Sequence, residues 1–531
     1  MILAPGAARE TPVSATLDDL FRRALARHPD APALTDPPDR AAVTDGAPRR
    51  LTYAQADRAI TALAGRLRGF GLAPDSVVAL QLPNTVESVV ALLAVMRAGM
   101  IAAPLPLLWR EQEASVALGR AGARALIGCR TIGQVDYGGL AMQLAAETFA
   151  IRFVAAFGDD LPDGIEPLDD IFAASAAGLP ATERGGNAAD HVALVTFDVT
   201  PDGIVAVARS HAELIAGGLA VHLEARIEAD AAMLGVLALS SFAALAATVV
   251  PWLLAGGTLA LHHPFAPASF SRQIADAPRT LVLPGPLVTR LADAGLLDAQ
   301  GEAPTVIALW RAPERLAGSP ALRAGPTLID VAAFGEVGLV ALRRDAQGKP
   351  SALPAGRVTA PRGATDGIHV LDVARGPAGT VILSGPMVPC AAFPPGIERG
   401  DQPRLVVGAS IDTGYACRLN GAAGTLTIDG PPGGMVSVGG YRFALRALQE
   451  LVEGMGDGAL AALPDMLAGQ RLAGAGADRD AICDALFAQG ANPLLVAAFR
   501  ARTGARPAQG GVNRNPENPG VASTRHLRGP G

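Results

Sequence analysis

Lysine is almost absent from this sequence. The stretch DAQGKPS contains the single lysine, Lys349, and arginine supplies the rest of the fixed positive charge. Arginine does not replace lysine freely, because its charge is spread over a broad planar fork instead of a compact ammonium group. Any mechanism that requires a lysine side chain must therefore use Lys349.

Cysteine is scarce, and its positions lie far apart. No CxxC pair occurs among Cys129, Cys390, Cys417 and Cys483. This spacing argues against a disulfide framework or a zinc site and favours buried thiols in a reducing compartment. The first residues, MILAPGAARETP, also lack the basic segment and apolar run of a signal peptide. We therefore expect a cytoplasmic protein.

Blocks of basic residues, and basic residues alternating with aromatic ones, are absent as well. The formal net charge is −6, so nucleic acid is not an expected partner. The motifs GxxxxGK[ST], GxGxxG, HExxH and GxSxG are also missing. Half of the 531 residues are hydrophobic, which indicates a globular chain of about two to four domains.

Charge is missing altogether from residues 232–261, a length sufficient to span a bilayer. Pro251 and the pair Gly256-Gly257 interrupt this stretch, however, and Ser240-Ser241 lie within it. A buried helix followed by a strand is the favoured interpretation, and a membrane-attached protein is the alternative. Association with a membrane is therefore not expected.

Helical and strand patterns alternate over the first 350 residues. Apolar residues recur at helical spacing in LTYAQADRAITALAGRLRGFGL (51–72), where Thr52 is the expected cap and Gly71 the expected end. Apolar stretches such as SVVALQL and IAAPLPL read as buried strands. Later in the chain, short strands between glycines and prolines indicate antiparallel sheet.

The predicted fold class is α/β. A large N-terminal domain (1–430) is expected to combine layered α/β subdomains, built on largely parallel sheets, with a small antiparallel barrel-like subdomain. A shortened α+β C-terminal domain (431–505) is expected to follow it. The polar, Pro/Gly-rich residues 506–531 are predicted to form a disordered tail.

The stretch TFDVTPDGIVAVARSH (196–211) is a candidate phosphate-binding loop. It follows the apolar strand VALV and precedes the helix-like segment AELIAGGLAVHL. A turn between a strand and a helix attracts anions through its backbone N–H groups and the helix N-terminus. The stretch contains Asp198 and Asp202 but no lysine. An ordinary strand–turn–helix connection is therefore the favoured alternative.

The order of several stretches resembles the adenylate-forming superfamily, which includes acyl-CoA synthetases, peptide-synthetase adenylation domains and luciferases. The stretches are LTYAQADRAITALAGRLRGFGLAPDSVVALQLPNTVESVVALLAVMRAGMIAAPLPL, WLLAGGTLALHHPFAPASF, TLVLPGPLVTRLADAG, AAFGEVG, ILSGPMV, IDTGYACRL and GGYRFALRALQELV. They extend over roughly residues 15–500. The resemblance implies a large domain that holds a carboxylic acid and Mg-ATP, and a small domain that rotates. It also implies an acyl-adenylate that usually goes on to a CoA thioester.

The resemblance also implies a set of binding positions. The cofactor-binding positions are Thr200, Gly203 and His211 in the phosphate loop, Phe334, Gly335 and Glu336 near adenine and magnesium, and Asp412, Tyr415 and Arg418 near the ribose. The substrate pocket falls at Ser241, Phe242 and Ala333. Among all of these, Glu336 is the candidate metal ligand.

Five positions depart from the family pattern. The phosphate loop has no lysine, Glu336 is offset by two residues, Tyr415 replaces the ribose-binding aspartate, the hinge reads GPPGG (430–434) without its arginine, and no lysine follows Lys349. Loss of one preorganised polar group commonly lowers a rate about 10²–10³-fold. Efficient adenylation by the family's usual route is therefore not expected.

Two functional hypotheses remain open. The first is an AMP-dependent synthetase-like protein with impaired or lost adenylation, which retains a pocket for a carboxylic acid or acyl group and acts with an active homologue or an acyl-carrier partner. The second is an active, divergent acyl-CoA ligase that uses ATP, Mg²⁺ and CoA. In the second case Arg209, Arg418 or Arg442 would supply the missing charge. The apolar composition of the expected pocket favours an aliphatic or aromatic acid.

Overall fold

Two large sheets, both mainly parallel, form the centre of the molecule. The structure is a computed structural model that describes residues 14–500 apart from 45, 176–177, 181, 183–184, 277, 298–302, 323–324, 363–364, 396–404 and 406–407. The predicted tail at 506–531 and the first thirteen residues lie outside the described residues. The prediction of an α/β fold is confirmed.

The first sheet has eight strands and is parallel except for the antiparallel pair at each edge. In spatial order its strands are Gly338–Arg343, Thr327–Phe334, Thr305–Trp310, Thr280–Pro284, Met233–Gly235, Leu259–Leu261, Pro32–Thr35 and Arg50–Thr52. Six of these eight strands are buried over most of their length. Continuous apolar strands of this kind are typical of a sheet that is covered on both faces.

The second sheet has seven strands and is parallel except for the hairpin at one edge. Its strands are, in spatial order, Gly203–Ser210, Val192–Thr200, Ile101–Pro104, Val77–Leu80, Ala125–Cys129, Phe153–Phe157 and Glu166–Pro167. A separate two-stranded ribbon pairs Thr131–Ile132 with Val135–Asp136.

Helices cover the two sheets and fill the space between them. Those of the first 300 residues are Leu17–Arg27, Tyr53–Gly69, Val86–Arg97, Glu111–Ala121, Tyr137–Glu147, His211–Ala225, Phe242–Ala255, Pro267–Ala275 and Gly285–Asp293. Short 3₁₀ turns occur at Arg40–Ala42, Asp169–Phe172, Ala188–Asp190 and Pro313–Gly318. The largest hydrophobic cluster joins residues from both sheets and from the helices between them. Burial of this apolar surface is the main force that holds the layers together.

The helix Tyr53–Gly69 shows how sequence signals set its limits. Thr52 caps it, because its hydroxyl accepts from the Gln55 N–H while the Gln55 side chain accepts from the Thr52 N–H. Tyr53 is fully buried and donates through its hydroxyl to the Gly257 carbonyl at 2.8 Å. The predicted cap and helix are therefore confirmed.

A third sheet of six antiparallel strands follows the two parallel ones. In spatial order it contains Leu353–Pro354, Thr425–Gly430, Ile411–Asn420, Thr380–Ser384, Thr365–Arg375 and Gly356–Arg362. Each neighbouring pair is antiparallel. The sheet curves as a half-barrel, and the predicted antiparallel subdomain is confirmed.

The last part of the described chain, residues 435–500, is here called the C-terminal unit. Its four antiparallel strands are, in order, Tyr441–Ala444, Met435–Val438, Gly469–Ala475 and Ala459–Asp465. Its helices are Leu445–Glu453, Arg479–Ala488 and Pro493–Phe499. It has a small hydrophobic core of its own, around Val452, Leu486 and Phe499. The chain enters it directly from the third sheet.

The uncharged residues 232–261 form a buried helix and strand. The helix Phe242–Ala255 lies in the core, and Leu259–Leu261 is an interior strand of the first sheet. Across the described ranges, none of the helices combines the length and the hydrophobicity needed to cross a membrane. The predicted buried helix and following strand are thus confirmed.

The predicted strand–turn–helix arrangement of residues 196–211 is wrong, because a second strand stands between the turn and the helix. Val192–Thr200 and Gly203–Ser210 pair as an antiparallel hairpin, and Pro201 and Asp202 alone form the turn between them. The stretch IVAVA favours a strand because of its β-branched residues. The helix begins only at His211, where Ser210 and Glu213 form a capping box.

Candidate functional site

The hairpin Val192–Ser210 carries two charged side chains that lie in the interior of the molecule. Asp198 lies in the first strand and Arg209 in the second, and both residues are buried. They meet the strand Thr327–Phe334, the loop that follows it, and the C-terminal unit. The charged groups at this meeting point, together with the aromatic rings that contact them, are here called the Asp198 cluster.

Asp198 binds groups from two distant parts of the chain. Its Oδ1 lies 2.5 Å from the Arg442 Nη1, across 244 residues of sequence. Its Oδ2 accepts from the Glu336 N–H at 3.0 Å. The N–H of Val199 also donates to Oδ1, at 2.8 Å. The carboxylate thus has a guanidinium and backbone N–H groups around it, a set of donors that suits an oxyanion.

Gly335 allows the Asp198 carboxylate to come close to the backbone. Its φ is +56°, and a Cβ at this position would lie 2.2 Å from the Asp198 Oδ2 and 2.6 Å from the Arg442 Nη1. An L side chain rarely adopts this backbone conformation and would also clash here. The glycine is therefore required by both the conformation and the ion pair.

Glu336 caps a helix from inside the cluster. Its Oε2 accepts from the N–H of Phe242, the first residue of the helix Phe242–Ala255, at 2.7 Å. Burial raises the pKa of Glu336 to about 7; the charge of Arg311, with Nη2 at 4.0 Å from Oε1, opposes this rise, and the charge of Asp198 adds to it. The carboxyl group therefore exchanges its proton near neutral pH.

Arg209 is a fully buried cation held by carbonyl oxygens. Its Nη1 donates to the Met387 carbonyl, and its Nη2 donates to the carbonyls of Glu336 and Val337. The guanidinium carbon lies 3.6 Å from the centre of the Phe242 ring. Burial lowers the pKa of Arg209 to about 10. The guanidinium thus holds the loop after the strand Thr327–Phe334 through hydrogen bonds.

Two aromatic rings close the other side of the cluster. Phe334 and Tyr415 meet edge to face with their ring centres 5.4 Å apart, and the Arg442 guanidinium lies 5.5 Å from the Tyr415 ring. Both rings are buried, and burial raises the pKa of Tyr415 to about 12. Next to Tyr415, a Cβ on Gly414 would lie 3.1 Å from the Pro432 Cβ. The segment predicted as a hinge therefore packs against this strand.

The structure brings some of the predicted cofactor-binding residues together and leaves others apart. Phe334, Gly335, Glu336 and Tyr415 belong to the Asp198 cluster. Thr200 and Gly203 lie at the hairpin turn, where the Thr200 hydroxyl donates to the Gly203 carbonyl at 3.0 Å. Neither of these two residues has a described hydrogen bond to the cluster.

Three further predicted residues make contacts of a different kind. His211 accepts from the Leu17 N–H through Nδ1 at 3.3 Å. Asp412 accepts from the Thr380 hydroxyl at 2.7 Å and from the Gly414 N–H at 2.9 Å. Arg418 is exposed and pairs with Asp429 on the neighbouring strand. The expectation that Arg418 supplies charge to this site does not agree with its position.

The predicted substrate pocket is packed with side chains. Ser241 caps the helix Phe242–Ala255 by accepting from the Ala244 N–H at 3.3 Å. The Phe242 ring lies under Arg209, and a Cβ on Gly217 would lie 2.5 Å from it. Ala333 is buried within the strand Thr327–Phe334. Of these three residues, Phe242 contacts the guanidinium of Arg209, which fills the space over its ring.

The cluster does not fit the triphosphate and magnesium that the resemblance implies. Asp198 occupies the donors that a phosphate would use, and like charges about 4 Å apart cost on the order of 4 kcal/mol at an effective dielectric constant near 20. The Glu336 carboxylate is already engaged by the Phe242 N–H. Within the part of the chain that the structure describes, no group of three or more His, Cys, Asp and Glu side chains is arranged to hold a metal ion.

Sequence reasoning misses the roles of Arg311 and Arg442 in this cluster. Arg311 follows the strand Thr305–Trp310, and Arg442 lies in the stretch GGYRF. The sequence alone presents Arg442 only as one of three possible sources of charge. A usable signal is present nonetheless: Asp198 and Arg442 both interrupt apolar strands, and a buried charge requires a partner.

Comparison with known proteins identifies similarity to AMP-binding enzymes and to ligases of aromatic acids. The family model for AMP-binding enzymes matches residues 21–194. A 2-hydroxy-7-methoxy-5-methyl-1-naphthoate–CoA ligase of Streptomyces carzinostaticus is 30% identical over 185 residues, which are 33% of each chain. A salicyl-AMP ligase/salicyl-S-ArCP synthetase of Mycobacterium tuberculosis is 29% identical over 256 residues, 48% of this chain and 42% of the relative. The matched segments thus span between a third and about two fifths of these relatives' lengths.

Solved structures extend the similarity over nearly the whole chain. The amide bond synthetase McbA of Marinactinospora thermotolerans is 19% identical with a TM-score of 0.66, and the alignment covers 90% of this chain and 94% of McbA. MbtA of Mycobacterium smegmatis is 21% identical with a TM-score of 0.61, over 91% and 90% of the two chains. At these identities the structures establish a shared fold.

Proposed function

We propose that the chain is a divergent member of the adenylate-forming superfamily, an AMP-dependent synthetase-like protein in which adenylation is impaired or lost. The match of residues 21–194 to the AMP-binding enzyme family and the fold shared with the solved structures support this proposal. The protein binds a carboxylic acid or an acyl group and acts by that binding, beside an active homologue or an acyl-carrier partner. Two of its relatives are named as ligases of a naphthoate and of a salicyl group, and an aromatic acid is accordingly the first ligand class to test.

The ion pair between Asp198 and Arg442 carries this proposal. It lies at the hairpin that resembles the family's phosphate loop, and it places an acidic side chain where a nucleotide phosphate is expected. Each of the two side chains is about 10% exposed, so water screens the repulsion of an incoming phosphate only weakly. A triphosphate would have to displace Asp198 from Arg442 before it could bind.

Two other positions support the same conclusion. Tyr415 stands where the resemblance expects an aspartate that accepts from both ribose hydroxyls, and a buried phenol offers a single donor instead. Lys349 is exposed in a turn in which Asp345 accepts from the Lys349 N–H at 2.9 Å. The single ammonium group of the chain is therefore not part of the Asp198 cluster.

The proposed acid site lies beside Phe242. Here Arg209 combines a positive charge with an aromatic ring 3.6 Å away, which suits a planar acid with a carboxylate. Binding requires that the guanidinium move away from the Phe242 ring and expose the space over it. A conformational change of this kind is part of the proposal, and the acid-binding measurement below tests it.

The second candidate function is an active ligase with arginine in the place of lysine. It needs a guanidinium free to contact the reacting groups. Of the three candidates, Arg418 pairs with Asp429, Arg442 pairs with Asp198, and Arg209 donates to carbonyl oxygens. Both functions require Arg209 to move, but the ligase also requires a triphosphate beside the Asp198 carboxylate, and this requirement favours the first function.

The deciding experiment is ATP–pyrophosphate exchange by the full-length protein with Mg²⁺ and a panel of aromatic, fatty and short carboxylic acids. We expect no acid-dependent exchange. Calorimetry on the same sample measures binding of each acid without ATP, and we expect heat of binding for at least one aromatic acid. The proposal would be overturned if any acid raised the exchange rate above the rate measured without acid. It would also be overturned if no acid in the panel bound to the protein.

A further inference from the structure

In the Asp198 cluster, the Arg442 guanidinium and the Glu336 N–H form an oxyanion-binding site, and the Asp198 carboxylate of the same chain fills it. We propose that Asp198 is a built-in anion that fills a phosphate-type subsite, formed by Arg442 and the Glu336 N–H, and thereby fastens the C-terminal unit to the rest of the molecule. This inference deepens the proposed function and rests on it for the identification of the subsite. It assigns a ligand class, inorganic polyphosphate, to the subsite once Asp198 is removed.

The chemistry of this oxyanion-binding site is that of a phosphate site. A guanidinium and a backbone N–H converge on one carboxylate, at 2.5 Å and 3.0 Å. Proteins use the same pair of donors for phosphate oxygens, because a planar cation and fixed N–H groups match an oxyanion. Gly335 leaves this side of the subsite without a Cβ, so that an anion can reach the backbone.

The pair lies at the contact between the two parts of the molecule. Arg442 belongs to the strand Tyr441–Ala444 of the C-terminal unit, whereas Asp198 belongs to the second sheet. Two further arginines support this contact: Arg311 approaches the Tyr441 ring at 5.8 Å, and Arg315 donates to the carbonyls of Met466 and Leu467. Asp198 is thus a carboxylate from one part held by a cation from the other.

The charge of Asp198 stabilises the charged form of the buried Arg442 side chain. Burial alone lowers the pKa of Arg442, but the charges of Asp198 and Tyr415 and the hydrogen bond to Asp198 together raise it above its ordinary value. A carboxylate on the same chain also has a high effective concentration, in the millimolar range or above. A dilute free anion therefore does not displace Asp198, and removal of Asp198 is what vacates the subsite.

The experiment compares the binding of inorganic pyrophosphate, without Mg²⁺, to four full-length proteins by calorimetry. These are the wild type, Asp198→Ala, Asp202→Asn and the double variant Asp198→Ala/Arg442→Gln. Asp202 is the matched control, since it is an exposed acidic residue in the turn of the same hairpin. We expect Asp198→Ala to bind pyrophosphate at least tenfold more tightly than the wild type and Asp202→Asn. The double variant is expected to lose that gain.

A second measurement follows the fastening of the C-terminal unit. In Asp198→Ala we expect faster amide hydrogen exchange in the strands Met435–Val438 and Tyr441–Ala444, and pyrophosphate should slow the exchange again. If Asp198→Ala does not fold, Asp198→Ser carries both measurements, because it removes the negative charge and keeps a polar group in this buried space.

Equal affinity of the wild type and Asp198→Ala for pyrophosphate would overturn the inference. Retention of the gain in the double variant would also overturn it, because Arg442 would then not form the subsite. The proposed function fails by a different result, acid-dependent exchange in the wild type. The two failures are therefore distinguishable.

Discussion

At Gly335 the lack of a single methyl group allows a carboxylate, a guanidinium and the backbone to meet. We expect Gly335→Ala to lower the free energy of unfolding by more than a left-handed backbone alone explains. Gly424 is the matched control, because its φ of +63° is close to the +56° of Gly335 while no atom lies within 4 Å of the place that a Cβ would take. A left-handed alanine costs about 1–2 kcal/mol.

We therefore expect a loss of about that size for Gly424→Ala and at least ~2 kcal/mol more for Gly335→Ala, since the new Cβ must displace Asp198. Denaturant unfolding of both variants measures the difference. Equal losses would show that the Asp198 carboxylate moves aside without cost.

Glu336 gives the stability of the protein a specific dependence on pH. Its pKa in the folded state is about 7, above the ordinary value of 4.5, with Asp198, Arg209, Arg311 and Arg442 as the charged groups around it. Between pH 4.5 and 7 the folded state keeps a proton that the unfolded state has released. This contribution to the free energy of unfolding is therefore present at low pH and is lost as the pH rises to about 7.

Glu336→Gln should remove this dependence, because the amide oxygen can still accept from the Phe242 N–H but does not ionise. The difference in stability between the wild type and this variant is expected to change by on the order of 3 kcal/mol from pH 4.5 to 7. The exposed Glu228 offers the control Glu228→Gln. Parallel pH profiles for the wild type and Glu336→Gln would contradict the prediction.

Among the secondary-structure elements, the helix Phe242–Ala255 depends on its first turn. Ser241 accepts from the Ala244 N–H, and Glu336 accepts from the Phe242 N–H, so two donors that the helix cannot satisfy itself are both paired. Ser241→Ala should lower the free energy of unfolding by about 1 kcal/mol, the usual effect of losing an N-cap side chain. Chemical denaturation measures this loss.

The control for that substitution is Ser271→Ala, in the helix Pro267–Ala275. The Ser271 hydroxyl is exposed and donates to the Pro267 carbonyl within its own helix. Its removal should change stability by less than about 0.5 kcal/mol. If both serines gave the same small effect, Glu336 alone would be sufficient to cap the helix Phe242–Ala255.

The elements themselves are predictable where local chemistry decides them. Thr52 and Gln55 fix the start of a helix by hydrogen bonds across three residues, and the sequence shows both partners. The hairpin at 192–210 is not predictable in the same way. Asp198, Pro201, Asp202 and Gly203 read as a loop, whereas pairing with the neighbouring strand and burial of the β-branched residues extend both strands to a two-residue turn.

Over the whole molecule, Arg315 holds the turn between the last two long strands. Its guanidinium donates to the carbonyls of Met466 and Leu467 at 2.9 Å and 3.1 Å. Arg315→Ala should increase the rate of amide hydrogen exchange in residues 459–475 severalfold, because the turn loses its contact with the rest of the chain. Exchange followed by mass spectrometry provides the measurement.

Arg272→Ala serves as the comparison, since Arg272 donates only to Ser269 in its own helix among the described contacts. Its exchange pattern over 459–475 should match that of the wild type. If Arg315→Ala also exchanged at the wild-type rate over residues 459–475, Arg315 would not be needed to hold the C-terminal unit. Arg442 and the other contacts would then hold it.

The candidate site lies beyond what sequence alone determines, and distance is the reason. Phe334, Gly335 and Tyr415 can be located by the order of stretches along the chain. The partner of Asp198 cannot, because Arg442 is 244 residues away and reaches it only through the packing of two separate sheets. The sequence shows that Asp198 departs from the pattern that the resemblance implies, but only the structure shows which groups this carboxylate contacts.

The mutual dependence of Asp198 and Arg442 also restricts how this chain can evolve. Substitution of either residue alone leaves a buried charge without its partner, and such a loss typically costs about 3–5 kcal/mol. Replacement of the pair by other residues would therefore pass through an unstable intermediate or require two changes at once. The ion pair thus ties residues 198 and 442 to each other, although they lie far apart in the sequence.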